Sequence, residues 1–379
     1  MTDDALTLTR ELITRRSLTP DDAGCQALIA EKLEHAGFTC HHLRFRGVDN
    51  LWAVAGDDDG PLFCFAGHTD VVPPGDAAAW RHDPFEAVID NDRLYGRGAA
   101  DMKSGVAAMV TAACRFRMEN PKHRGRIALL LTSDEEGPAI DGTRAVIDWL
   151  SQHDTQIDYC LIGEPTADQI LGDTIKTGRR GSLNAHITVD GHQGHVAYPQ
   201  TADNALHRLI SLLNELVETT WDDGDELFPP TSFQASNITA GTGAENVIPG
   251  RASANCNWRF NTAWSAAALR EYVAQLCKAR HIDPDGIEWR TSGEPFATRT
   301  GALVEATKNA VHGHTGLHPT LSTGGGTSDA RYIAPTGAET VEIGPVNATI
   351  HQLDEHIAGS DPAQLAAIYN DVLSTLLAE

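Results

Sequence analysis

Two histidines and a set of carboxylates occupy positions in this chain where they could do chemistry. His68 and Asp70 follow the apolar run PLFCFAG in GHTD. Asp101 closes the glycine-rich turn of GRGAADMKSG, Glu135 and Glu136 stand side by side in SDEEG after IALLLTS, Glu164 follows DYCLIG in IGEPT, and His351 sits in NATIH. Taken singly most of these are ordinary: a His-x-Asp pair is common in polar loops, and an aspartate just before a helix usually caps it. The adjacent glutamates are harder to dismiss. The end of a buried strand is poorly solvated, and two neighbouring carboxylates repel there unless positive charge lies beside them. Five strand-end positions bearing His, Asp, Glu, Glu and His form a set that suits two divalent metal ions, with one carboxylate bridging both.

Such a set has to be held by elements that end close together. The apolar runs at 61–67, 127–133 and 158–164 read as buried strands, and Lys103 to Arg117 and Gly142 to Gln152 read as helices between them, with another helix over 22–36 ending at Gly37. That alternation is an α/β pattern with a mostly parallel sheet, which places its sites at the carboxyl ends of the strands. The character changes near Arg179. SLNAHITVDG, a helix from Ala202 to Glu218, TSFQASNITAG, SANCNWRFN, a helix from Ser265 to Ala279 and GIEWRTS give the order βαββαβ, a self-contained α+β ferredoxin-like arrangement. Beyond about residue 293 the α/β pattern resumes, with a helix near 300–312, the strand ETVEIG and a closing helix from Pro362. The expected organisation is therefore a discontinuous domain, 1–178 with 294–379, into which 179–293 is inserted.

Length and composition agree with two or three folding units in an ordinary globular protein: 379 residues, 41% hydrophobic and 21% charged. A net charge of −23 without any long basic stripe argues against nucleic acid as a partner. No apolar run approaches the ~20 residues that span a bilayer, and the N-terminal MTDDALTLTRELITRRS lacks a basic segment followed by an apolar one, so no membrane association and a cytoplasmic location are expected. The seven cysteines are odd in number, widely spaced and free of any CxxC, and they read as small buried apolar residues in a reducing compartment.

In order along the chain, GHTDVVPPG, GRGAADMKSG, SDEEGPAIDGT, IGEPT, KTGRRGS, GHQGHVAYP, ENVIPG, GGGTSDAR and NATIH resemble the two-zinc aminoacylase, carboxypeptidase and deacylase family. KTGRRGS, QGHVAYP and TIH resemble more specifically its succinyl-diaminopimelate desuccinylase branch. The resemblance implies a zinc-hydrolase catalytic domain carrying an inserted dimerisation domain, two Zn2+ per subunit with Co2+ as an admissible substitute for one, and a homodimer formed through the insert. It implies His68, Asp101 and Glu164 on one zinc, and Asp101, Glu136 and His351 on the other. Glu135 matches the general base, Asp70 the carboxylate behind His68, and His195 a residue that reaches the partner subunit's site to stabilise an oxyanion. A cis peptide between Asp101 and Met102 is also implied. Three departures stand out: Ala330 where Gly commonly follows TSD, Gln352 where Lys often follows the histidine, and Asn204-Ala205 where Asn-Pro is frequent.

The branch implies an N-succinyl amino acid as substrate, specifically N-succinyl-LL-2,6-diaminopimelate, hydrolysed in lysine and cell-wall precursor biosynthesis. Its carboxylates need cations that the metal ligands do not leave free. Arg179, Arg180 and Arg259 are candidates for bidentate grips, with Asn246 and the backbone of GGGTS, at Gly325, Thr327 and Ser328, as neutral donors. An acetylornithine deacetylase-like or aminoacylase-like hydrolase would share every metal residue, and a non-catalytic binding protein of the same fold would share the architecture.

Overall fold

The protein is described by a computed structural model over residues 4–57 and 59–378; residues 1–3 of the N-terminal stretch read above, together with residues 58 and 379, lie outside the described residues. The chain divides into two compact units, one of Met1–Gly178, Ala297–Ser322 and Ser328–Glu379, the other of Arg179–Phe296 with Thr323–Thr327.

The larger unit is built on an eight-stranded sheet in the order Thr39–Phe45, Val48–Gly56, Arg126–Thr132, Leu62–His68, Tyr159–Ile162, Glu339–Glu342, Thr174–Lys176, Thr320–Ser322. The four central strands, Arg126–Thr132 to Glu339–Glu342, are mutually parallel, so their carboxyl ends lie on one edge. These are the apolar runs of the sequence, and every residue of Leu62–His68 is buried, as a strand covered on both faces requires. The hairpin Thr39–Phe45/Val48–Gly56 adds antiparallel strands at one side. Helix Ser104–Glu119 packs on Asp361–Leu377, which packs in turn on Ala302–Thr315.

Two close approaches need glycine. A Cβ on Gly105 would lie 2.1 Å from the Gly163 carbonyl oxygen, and one on Gly67 would lie 2.5 Å from the Met102 methyl. The helix that follows Asp101 can therefore press its backbone against the strand end that leads to Glu164, and the Met102 side chain of the Asp101 turn can lie against the strand that leads to His68.

The smaller unit follows the expected βαββαβ order: Gly181–Asp190, helix Ala205–Glu218, Ser232–Ala240, Arg251–Phe260, helix Ala266–Ala279 and Ile287–Gly293. Its four strands are all antiparallel, in the order Ser232–Ala240, Arg251–Phe260, Gly181–Asp190, Ile287–Gly293. Alternation along Arg251–Phe260 buries Cys256, Trp258 and Phe260 with Leu183, Ile187, Leu209, Leu212, Leu269 and Val273. Both helices begin on polar caps: the Asn204 side chain accepts from Leu206 N and His207 N, and the Ser265 hydroxyl accepts from Ala268 N. All seven cysteines are free, and among the described residues no helix is long and apolar enough to cross a membrane.

Candidate metal centre

The larger unit brings the metal-type residues together at the carboxyl edge of its sheet. His68 is the last residue of its strand, Glu135 and Glu136 follow Arg126–Thr132, Glu164 follows Tyr159–Ile162, and Asp101 lies in the turn before Ser104–Glu119. The peptide between Asp101 and Met102 is cis, as the resemblance implies. Asp101 stands in the middle: its Oδ1 is 3.3 Å from His68 Nε2 and its Oδ2 is 3.3 Å from His351 Nε2. His68 Nε2 also lies 3.7 Å from Glu164 Oε1, and His351 Nε2 lies 2.9 Å from Glu136 Oε1. Ligand atoms of His68, Glu135 and Glu164 fall within 4.8 Å of one another, as do those of His68, Asp101 and Glu136.

Behind His68, Asp70 is fully buried. The hydrogen bond to His68 Nδ1 is made by the Asp70 backbone carbonyl at 2.9 Å, whereas its carboxylate is 3.6 Å away. That carboxylate instead accepts the backbone N–H groups of Glu135 and Glu136, at 3.4 and 3.1 Å. One residue thus leaves Nε2 of His68 free to ligate and fixes the turn that carries both glutamates.

Electrostatics give the cluster a strong demand for positive charge. Burial, followed by the nearby Asp329, pushes the Glu135 carboxyl up to about 8. Burial and the Asp101 charge raise Glu164 well above the carboxylate range. Hydrogen bonds with Asp101 and Glu136 push the His351 imidazole up to about 10. Burial opposes charge on His68, yet its contacts with Asp101, Glu164 and Asp70 outweigh that and raise it; burial likewise opposes charge on Asp101, whose pKa the two histidines nevertheless hold below the usual range. Carboxylates and imidazoles converging under burial are the donor set that divalent zinc-like ions take, so the residues present fit a two-metal group.

The candidate substrate residues are carried by the smaller unit, apart from Ser328. Arg179 is buried and donates to the Gly326 carbonyl at 3.2 Å, and a Cβ on Gly325 would meet its guanidinium at 3.0 Å, so the glycine run lies against the arginine. Burial and the neighbouring Arg180 hold the Arg259 guanidinium below its ordinary value. His195 is exposed, pairs with Val247 across a short ribbon and accepts from Ala197 N through Nδ1. Asn246 is exposed and Thr327 half-buried; Ser328 is buried and donates to Glu342 Oε1 at 2.6 Å.

Several residues at the centre carry no sequence signal of their own. Lys103 is fully buried and donates to the Leu12 and Arg15 carbonyls, each at 2.8 Å, tying the Asp101 turn to the N-terminal helix. Asp329 accepts from Thr143 Oγ1 at 2.6 Å beside Glu135. Glu355 lies four residues after His351 in a polar loop, where nothing in the sequence marks it, and is wholly buried.

A family model described as Peptidase family M20/M25/M40 matches residues 64–375. Over 373 residues the chain is 57% identical to the succinyl-diaminopimelate desuccinylase of Halorhodospira halophila (strain DSM 244 / SL1), covering 98% of each protein. Over 374 residues it is 54% identical to that of Alkalilimnicola ehrlichii (strain ATCC BAA-1101 / DSM 17681 / MLHE-1), covering 99% of each. Among solved structures, the M20 family metallo-carboxypeptidase Sso-CP2 from Sulfolobus solfataricus superposes with a TM-score of 0.81 at 17% identity over 99% of both chains. The YXEP protein of Bacillus subtilis, described as a dinuclear metal binding peptidase from the M20 family, gives 0.71 at 15% identity over 99% of this chain and 97% of that one. At those identities the structures speak for the fold, while the match of the family model and the full-length identities together establish that this chain belongs to peptidase family M20/M25/M40.

Proposed function

We propose that the chain is a two-metal amidohydrolase that cleaves N-succinyl-LL-2,6-diaminopimelate to succinate and LL-diaminopimelate. The observation that carries the chemistry is Asp101, whose two oxygens face His68 and His351 at 3.3 Å each. What supports the substrate is full-length identity above half with proteins named for that reaction.

On this reading His68, Asp101 and Glu164 would hold one ion and Asp101, Glu136 and His351 the other. Two zinc ions held there would supply Lewis acidity and make a water ionisable near neutral pH. Glu135, too high in pKa to stay ionised without positive charge nearby, takes the proton of the attacking water and returns it to the departing amine. Three ligand carboxylates would bring −3 against the +4 of two such ions and the deprotonated water the remaining −1, so the substrate carboxylates turn to Arg179 and Arg259, with Asn246 and the backbone N–H groups of Gly325, Thr327 and Ser328 as neutral donors. His195, exposed on its ribbon, serves as the oxyanion donor of the partner subunit's site.

A homodimer through the smaller unit is supported by its edge strand Ser232–Ala240, whose outer side pairs with no strand among the described residues and which is exposed beyond Phe233, and by Ile238, Ile210 and Val217, which are 52%, 50% and 65% exposed. We place the enzyme in the cytoplasm on the strength of its seven free cysteines.

A substrate panel on one preparation of measured metal content tests the function. The expected result is two equivalents of zinc and a kcat/KM for N-succinyl-LL-diaminopimelate roughly 100-fold or more above that for N-acetylornithine. Preference for the acetylated substrate would move the chain to the acetylornithine deacetylase-like reading.

A further inference from the structure

Both loops that meet at the centre of the metal cluster spring from one small three-stranded sheet. Strand Arg93–Tyr95 runs into the Asp101 turn, strand His356–Ala358 is entered just after His351, and the two pair antiparallel with His356 opposite Tyr95. Glu355, the residue before His356, therefore stands where the two loops part. Its backbone carbonyl accepts from Gly96 N at 3.0 Å.

The Glu355 side chain turns inward and is 0% exposed. Its Oε2 accepts from Arg97 Nη1 at 2.6 Å and from Gly98 N at 3.1 Å. Its Oε1 accepts from Ala100 N at 2.9 Å and from Asp101 N at 3.1 Å. Four donors occupy the roughly four lone-pair sites of an ionised carboxylate, which leaves Glu355 no capacity to ligate a metal. Arg97, itself buried and stacked over Trp80 at 5.1 Å, neutralises the charge.

We infer that Glu355 is a positioning residue for both metal positions: by gathering the amides of Gly98, Ala100 and Asp101 onto one carboxylate, it aims one Asp101 oxygen at each histidine. The inference rests on the two-metal reading above. Because Asp101 is the shared ligand, an error in its placement is felt by both ions at once, whereas loss of Glu164 is felt by one. A glutamine at 355 keeps the shape but faces either the Arg97/Gly98 pair or the Ala100/Asp101 pair with an NH2 group, so two donors lose their acceptor in either rotamer.

Zinc alone is the probe, titrated against a competing chelator into the full-length parent, Glu355→Gln and Glu164→Gln. The expected result is joint weakening of both zinc positions in Glu355→Gln by about 10- to 100-fold, with weakening of one position in Glu164→Gln. A parent that does not bind two zinc ions overturns the two-metal reading and this inference with it. A parent that binds two, with Glu355→Gln binding both at parental affinity or losing only one, overturns the role of Glu355 alone; lower thermal stability with both affinities intact is that same negative result. Should Glu355→Gln fail to fold, Glu355→Asp decides: it keeps the charge toward Arg97 and withdraws it from the amides, so joint weakening supports the inference and parental affinity at both positions overturns it.

Discussion

The two units of this chain bury polar groups in opposite ways. In the larger unit the ends of the central strands carry His68 and Asp70 at 0% exposure and Glu164 at 8%, and the turn before helix Ser104–Glu119 brings Asp101, also at 8%, against His68 and Glu164. In the smaller unit burial is almost wholly apolar: Trp258 sits at 0% exposure among Trp221, Phe233 and Trp289, and strand Arg251–Phe260 alternates inward and outward residues. One arrangement is stable only if its charges are balanced, and the other only if its volume is filled. Perturbations of charge and of volume should accordingly separate the two.

Removing metal is the largest charge perturbation available. Chelation is expected to abolish hydrolysis, and zinc added back to restore it, because the scheme contains no side-chain nucleophile that could act in its place. A preparation shown to be metal-free and fully active would end the two-metal reading.

Within the cluster, the adjacent glutamates sharpen the contrast between base and ligand. Glu135→Gln keeps the shape and removes the base, so turnover is expected to fall by about 100-fold or more while zinc content stays at the parental level. Glu136 lies 2.9 Å from His351 Nε2, so Glu136→Gln is expected to lose zinc and rate together and to recover part of its activity in excess zinc. Metal analysis and kcat on the two variants distinguish the roles, and a Glu135→Gln enzyme with full zinc and parental turnover would remove Glu135 from the mechanism.

Volume is tested in the smaller unit. Trp258→Ala deletes the largest fully buried side chain of the molecule and is expected to cost about 3–5 kcal/mol in denaturant unfolding, with zinc stoichiometry of the folded protein unchanged. Loss of zinc from the folded variant would show that the metal cluster draws on that core.

The same division explains what could be read before the fold was known. The strands ending at His68, Thr132 and Ile162 are runs of buried apolar residues, unmistakable in sequence, and the ligands sit just where those runs stop. The smaller unit was legible because amphipathic alternation and helical periodicity are local properties. Less legible were the hairpin Thr39–Phe45/Val48–Gly56, whose first strand is largely exposed and polar, and the three-residue strands Thr174–Lys176 and Thr320–Ser322, too short for any period to register. Glu355 was missed for a different reason: its importance lies in which amides reach it, and those belong to residues far away in sequence. The role of Asp70 was half visible, since its neighbourhood to His68 follows from spacing, while its grip on the Glu135–Glu136 turn is a tertiary contact.

The smallest perturbation concerns a helix end. Asn204 accepts from Leu206 N at 3.1 Å and His207 N at 3.3 Å, satisfying two amides that the helix Ala205–Glu218 cannot satisfy itself. The N–H of the next residue, Ala205, donates to the Pro249 carbonyl at 3.2 Å, a bond that proline there would forfeit. The cap is therefore the helix start's main polar support. Asn204→Ala is expected to cost about 1 kcal/mol, and Asn204→Asp, whose carboxylate accepts as well and favours the helix N-terminus, to cost a few tenths at most. Denaturant midpoints at constant m-value measure both. The effect belongs to the smaller unit, so zinc affinity is expected to stay at the parental value in each variant; an Asn204→Ala protein that bound zinc more weakly would couple the helix start to the metal cluster and break the separation between charge and volume on which the comparison stands.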